Sequence, residues 1–270
     1  MAANTTTGAA GDGAASTVAR RMSALGRAEL TLLVRNKYAL FTALLMPLLM
    51  VGVLRSTLDQ VELGRAGMSA VEAALSGGLV MMLILVVYLN LTSAYVARRE
   101  ELVLKRLRTG EAADHEILAG TALPAILLAL GQSALIVAGG VAALGVDGPQ
   151  RPELLVAGVL LGVVMLVALA GATAAVTRTV ESAQITTMPL FLVSSVGSGL
   201  FVPLEVLPEK VASVCELLPL SGVMTLVRAG WLGGGGGDGG ELLGAALTAL
   251  AWTALSVFAV QRWFRWEPRR

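Results

Sequence analysis

Six stretches of this chain, 38–54, 73–97, 117–146, 154–177, 182–204 and 242–261, contain no Asp, Glu, Lys or Arg. At 14% charged residues, a random order would meet a charge about every seven positions, so gaps of this length are a pattern. A bilayer core about 30 Å thick takes about 20 apolar residues as helix, with a range of about 17 to 25. Five gaps fit that range. The sixth, 117–146, is longer and holds Pro124, which predicts a kinked or broken start before a span at about 122–146. The pattern therefore predicts an all-α membrane protein with six transmembrane helices, at about 38–54, 73–97, 122–146, 154–177, 182–204 and 242–261.

Between these spans the chain reads differently from place to place. Residues 1–17, rich in Ala, Gly, Thr and Ser, read as a disordered tail and not as a cleaved leader, and 267–270 as a short C-terminal tail. Residues 18–34 set Val18, Met22, Leu25 and Leu32 near helical spacing with Arg20, Arg21 and Arg27 elsewhere on the wheel, which predicts an amphipathic helix lying on the membrane. The transmembrane domain thus runs from 18 to 266. Pro47 implies a kink in the first span, and Gly158 and Gly162 form a small-xxx-small pair suited to close helix contact. About five residues part the fourth and fifth spans, which makes them a hairpin. Pro208–Leu218 and Pro219–Trp231 are too amphipathic and proline-marked to cross, and they read as short re-entrant helices on the outer side. Gly233 to Gly240, broken by Asp238, is a flexible connector and lacks the Lys-Ser or Lys-Thr of a phosphate loop.

Composition agrees with the span count: 56% of the 270 residues are hydrophobic and the mean hydropathy is +0.76. The net charge of +1 averages over two unequal faces. With the N-terminus inside, fifteen Lys and Arg fall in inner segments and five (Arg55, Arg65, Arg151, Lys210, Arg228) in outer ones. The positive-inside rule then puts both termini in the cytoplasm. Cys215 is the only cysteine, so no disulfide forms within one chain.

Catalytic motifs are missing. The chain has one histidine, His115, and no HExxH, GxSxG or P-loop. No metal or cofactor site is expected on it. The predicted spans lack the ionisable groups on which proton- or ion-driven carriers rely, which disfavours a secondary carrier, and no interfacial cluster of ionisable residues supports a lipid-modifying enzyme.

Charge is instead concentrated between spans two and three, where Arg98 to Glu116 holds ten charged residues in nineteen positions. Residues 98–108 are expected to continue the second helix, with Glu101 and Lys105 paired at i,i+4, up to a break at Thr109 and Gly110. Glu111 and Asp114 then start a short acidic helix reaching Leu118, since negative charge suits a helix N-terminus. From composition alone, a docking knob and an ordinary solvated loop are equally good readings.

The run Arg99-Glu-Glu-Leu-Val-Leu-Lys-Arg-Leu-Arg-Thr-Gly-Glu-Ala-Ala-Asp-His-Glu-Ile-Leu118, the helix before a first span with Pro47, and Pro203-Leu-Glu-Val-Leu-Pro208 leading to Leu218-Pro219 together resemble the ABC-2 type permeases. These are membrane subunits of ATP-binding-cassette exporters, including drug and antibiotic exporters of the daunorubicin-resistance kind. The resemblance covers about 18 to 262. Where many relatives follow the acidic pair with Gly-Thr and place a proline before the coupling helix, this chain has Leu102-Val103 and Gly110.

The resemblance implies a permease subunit that hydrolyses nothing and pairs with a second permease copy. A separate nucleotide-binding ATPase subunit would carry ATP and Mg. Coupling to that subunit falls to Glu111, Asp114, Glu116, Ile117 and Leu118, and the cargo would be an amphipathic molecule leaving between the copies. On the fifth span Thr187, Phe191, Ser194 and Ser198 share one face, and on the second Tyr88, Thr92 and Tyr95 do. Both faces suit either a substrate path or helix packing by small polar residues.

Overall fold

The computed structural model describes residues 45, 49, 52–53, 70–104, 113–144, 146–200, 204, 207–233, 239–264 and 266. The expectations for the tails, the helix at 18–34, most of the first span, Lys105 to Glu111 and the connector at 234–238 lie outside them. All regular structure in the described residues is helical. In chain order the helices are α1 (Ala70–Leu83), a π-helical turn (Ile84–Leu89), α2 (Asn90–Glu100), α3 (Asp114–Leu144), α4 (Pro152–Val176), α5 (Val180–Gly197), α6 (Glu209–Glu216), α7 (Pro219–Leu232) and α8 (Gly239–Trp263).

Among the described residues, four helical rods are long and apolar enough to cross a membrane: Val71–Glu100, which joins α1, the π turn and α2, and then α3, α4 and α8. The bent pair α6 and α7, turned by 96°, brings the number to five if each bent pair is one span. α5 has 18 residues, about 27 Å at 1.5 Å per residue, and carries Glu181, Gln184 and Pro189. α3 runs without a break through Pro124, where a kinked or broken start was expected. Its 31 residues reach about 46 Å, well beyond a hydrocarbon core of about 30 Å.

α4 is the hub, packing against α8, α7 and the α1–α2 rod. Its two glycines explain how closely α7 approaches: a Cβ on Gly158 would lie 3.0 Å from Leu226 Cβ, and one on Gly162 would lie 2.9 Å from Val223 Cγ1. Among lipids there is little hydrophobic drive to bring helices together, so such close packing has to supply the attraction.

α6 and α7, read alike from sequence, separate sharply in the fold. α6 buries no residue, and its Val211 and Val214 are exposed, as is Leu217 just after it. α7 is apolar almost all round and buries twelve positions, among them Trp231, so it forms the centre of the bundle beside α1, α4 and α8. Arg228, counted above among charges in an outer segment, sits within α7 at 8% exposure and donates to the Gly199 carbonyl.

Candidate functional site

The charged segment is described on both flanks, and the two flanks are held to each other. α2 ends at Glu100, a turn follows at Glu101 and Leu102, and Val103 and Leu104 are helical again, while the break expected at Thr109 and Gly110 lies outside the described residues. The Leu102 amide donates to the Arg99 carbonyl at 3.1 Å, and Leu102 adopts φ 59°, a left-handed conformation costly for a residue with a Cβ. Three residues before Leu102, the Arg99 side chain is turned into the bundle.

Arg99 is fully buried. One guanidinium nitrogen donates to the Ala174 carbonyl at 2.9 Å, and the other to the carbonyls of Thr177 at 2.5 Å and Arg178 at 3.3 Å. These acceptors stand where α4 ends, among carbonyls that no helical N–H can reach, and the helix dipole favours a cation there. The same end holds a short polar chain. Tyr88 Oη and Thr173 Oγ1 are 3.1 Å apart, and the Thr173 carbonyl accepts from Thr177 Oγ1 at 2.7 Å. Thr177 then passes its own carbonyl to Arg99. The second span is thereby bonded to the turn between α4 and α5.

A second set of bonds joins α2 to the root of α3. Tyr95 Oη donates to the Leu118 carbonyl at 3.0 Å, Arg98 to Thr121 Oγ1 at 3.5 Å, and Thr121 Oγ1 to the Ile117 carbonyl at 2.9 Å. Ile117 is buried and Leu118 half-buried, whereas Asp114 and His115 are exposed. Glu116 accepts from the Ala113 amide at 3.1 Å, which satisfies one donor at the helix start. Asp114, Glu116, Ile117 and Leu118 thus form the first turns of the long α3, with an acidic tip and an apolar root. Glu111 is outside the described residues.

The hydroxyl faces turn inward. Tyr88, Thr92, Thr187, Ser194 and Ser198 are buried, and Phe191 is half-buried. Thr92 and Thr187 bond to carbonyls one turn back in their own helices, at 2.7 and 2.8 Å. The hydroxyls of Ser194 and Ser195 are buried with no partner among the described residues. The outward face of α5 is apolar, with Ile185, Met188, Leu192 and Val196 exposed.

Arg99 is the residue that sequence reasoning misplaced, since it was counted with Arg98 in the solvated segment. A signal was available: Thr92, Tyr95 and Arg99 fall at i, i+3 and i+7, so Arg99 extends the buried stripe of α2 and Arg98 does not.

None of the curated proteins compared with the chain matches it. The family model for the ABC-2 type transporter matches residues 20–232, most of the 270. With its apolar membrane-length helices, the chain belongs to the ABC-2 type transporter family, as a multi-pass membrane permease component and not a catalytic subunit.

Proposed function

We propose that the chain is the permease of an ATP-driven exporter of amphipathic small molecules, drug-like, antibiotic or lipid-like, working as a homodimer with a separate ATP-binding subunit. The observation that carries this reading is the junction of α2 and α3. An exposed tip, Asp114 beside His115, stands on a root that Tyr95 and Arg98 bond to the second span. A push on that tip has a mechanical route into two membrane helices. Glu111, Asp114 and Glu116 with Ile117 and Leu118 receive the push from the ATPase, on the cytoplasmic side of a bacterial plasma membrane.

In the complete subunit six helices span the membrane, the helix at 18–34 lies on the inner leaflet, and α6 with α7 re-enters from outside. The apolar outward face of α5 meets the second copy. The cargo path follows Thr187, Phe191, Ser194 and Ser198 of α5 with Tyr88 and Thr92, opening as α5 moves off the second span. The hydroxyls of Ser194 and Ser195, buried with no partner among the described residues, support this, because such a hydroxyl is stabilised by exposure to water or a polar ligand.

The test is reconstitution in liposomes with the ATP-binding subunit. The double variant Glu111→Lys, Asp114→Lys inserts normally and loses at least about tenfold of substrate-stimulated ATPase and export, given that each interfacial charge reversal costs on the order of 1 kcal/mol. Unchanged export would overturn the assignment.

A further inference from the structure

α6 and α7 meet at 96°, and contacts with α8 and α4 fix how deep their junction lies. The Trp252 indole N–H donates to the Leu217 carbonyl at 2.9 Å, and Trp252 stands thirteen residues after the start of α8 and eleven before its end. On α4, whose midpoint is Val164, a Cβ on Gly162 would lie 2.9 Å from Val223 Cγ1, and Val223 is four residues into α7. Further along, Gly230 of α7 packs on Leu155, so α7 runs beside α4 towards the end that starts at Pro152. α4 and α8 are both of membrane length, which puts the junction near the middle of the bilayer, about 15 Å from either side of its core. α6, eight residues or about 12 Å long, stands at close to a right angle to α7 and therefore stays at that depth.

α6 carries charge at this depth. Glu209, Lys210 and Glu216 are all exposed, and no ion pair joins any of them to another described residue. At about 100° per residue, Glu216, Glu209 and Ser213 fall on one edge of the helix, and Val211 and Val214 fall on the opposite edge. An amphipathic helix lying in the membrane plane marks a boundary between water and apolar material. Ionised side chains are too costly to face acyl chains at mid-depth. Around the same depth the outward side of α8 shows Leu247, Leu250 and Leu255, as a surface towards acyl chains does. A second copy of the chain does not neutralise α6 either, because its charges sum to −1 and those of two such helices to −2, and an unpaired charge buried between copies is strongly destabilising.

We propose that α6 is the floor of a water-filled vestibule, open to the outer face and reaching the middle of the membrane, with the Glu209 and Glu216 carboxylates turned into the water. The vestibule shortens the apolar part of an export route, since cargo meets water at α6 instead of at the outer surface. Which face the vestibule opens to rests on the topology proposed above. The presence of water at α6 does not.

The experiment is thiol labelling of single cysteines in a Cys215→Ser chain, in intact cells and in inverted vesicles, with membrane-impermeant methanethiosulfonates of either charge. Gln150→Cys, exposed in the turn before α4, is the outer reference, and Leu247→Cys is the lipid-facing one. In intact cells Ser213→Cys should react within about tenfold of the Gln150→Cys rate and at least about tenfold faster than Leu247→Cys, since a hydrated thiol ionises to the reactive thiolate and one in apolar surroundings does not. Relative to Gln150→Cys, the cationic reagent should be favoured over the anionic one at Ser213→Cys by about threefold or more, and Glu209→Gln with Glu216→Gln should remove that bias. Labelling of Ser213→Cys as slow as that of Leu247→Cys, or a copy-to-copy disulfide there in place of labelling, would overturn the proposal. Ser213→Cys reacting only in inverted vesicles while Gln150→Cys reacts in intact cells overturns the outer opening. Both reacting only in inverted vesicles overturns the topology, and the outer opening with it.

Discussion

Arg99 and Arg228 stand at opposite ends of α5, and each gives its guanidinium to backbone carbonyls in or just past the last turn of a helix. Arg99 comes from the end of a membrane-length rod, next to the charged segment, and closes the turn that leads into α5. Arg228 comes from the middle of a buried helix and bonds to Gly199, just past the end of α5, where φ is 75°. The physics is shared, since a cation among carbonyls left over by a helix replaces its water shell with fixed dipoles. The setting differs. One clamp borders the segment assigned to energy input, and the other lies deep in the bundle, so α5 is positioned from both sides by charges placed in apolar surroundings.

That comparison can be broken in several ways. The largest effect is expected for Arg99→Leu, which strands three carbonyls and lowers unfolding stability by about 3 kcal/mol in a denaturant titration of the solubilised protein. It should also depress coupled ATPase more than it depresses stability, because the clamp joins the second span to α5. Arg228→Leu should cost about 2 kcal/mol and leave coupling largely intact. Lys at either position should restore less than half of the loss, since one ammonium cannot reproduce a planar fork of donors. If the clamps are independent, the double variant is additive within about 0.5 kcal/mol. A larger interaction term would mean that α5 transmits strain between them. The smallest effect is expected for Tyr88→Phe, about 1 kcal/mol, by removing the bond to Thr173.

The membrane character and the helical class were legible because absence of charge over membrane-length stretches is a strong, local signal. The close contact at Gly158 and Gly162 was legible too, although their partner, α7, was not. α7 contains an arginine and opens with a proline, and a reading by composition assigns such a piece to an interface. Only tertiary packing reveals that the Gly199 carbonyl makes room for that arginine. Within the candidate site, the acidic tip followed from helix-start chemistry. The turn after α2 did not, because Leu102 adopts a backbone its side chain disfavours and the neighbouring Arg99 bonds to residues some 75 positions away.

The π-helical turn at Ile84–Leu89 bears on how this rod tolerates change. The Asn90 amide reaches back to Leu85, five residues away, so the rod carries one residue more than regular winding would hold. Removing one residue here would restore ordinary pitch and swing everything below it by about 100°. Tyr95 would then miss Leu118, and Arg99 would miss α4. The turn thus acts as a register device, offsetting the faces of the rod before it from those after it by the one extra residue.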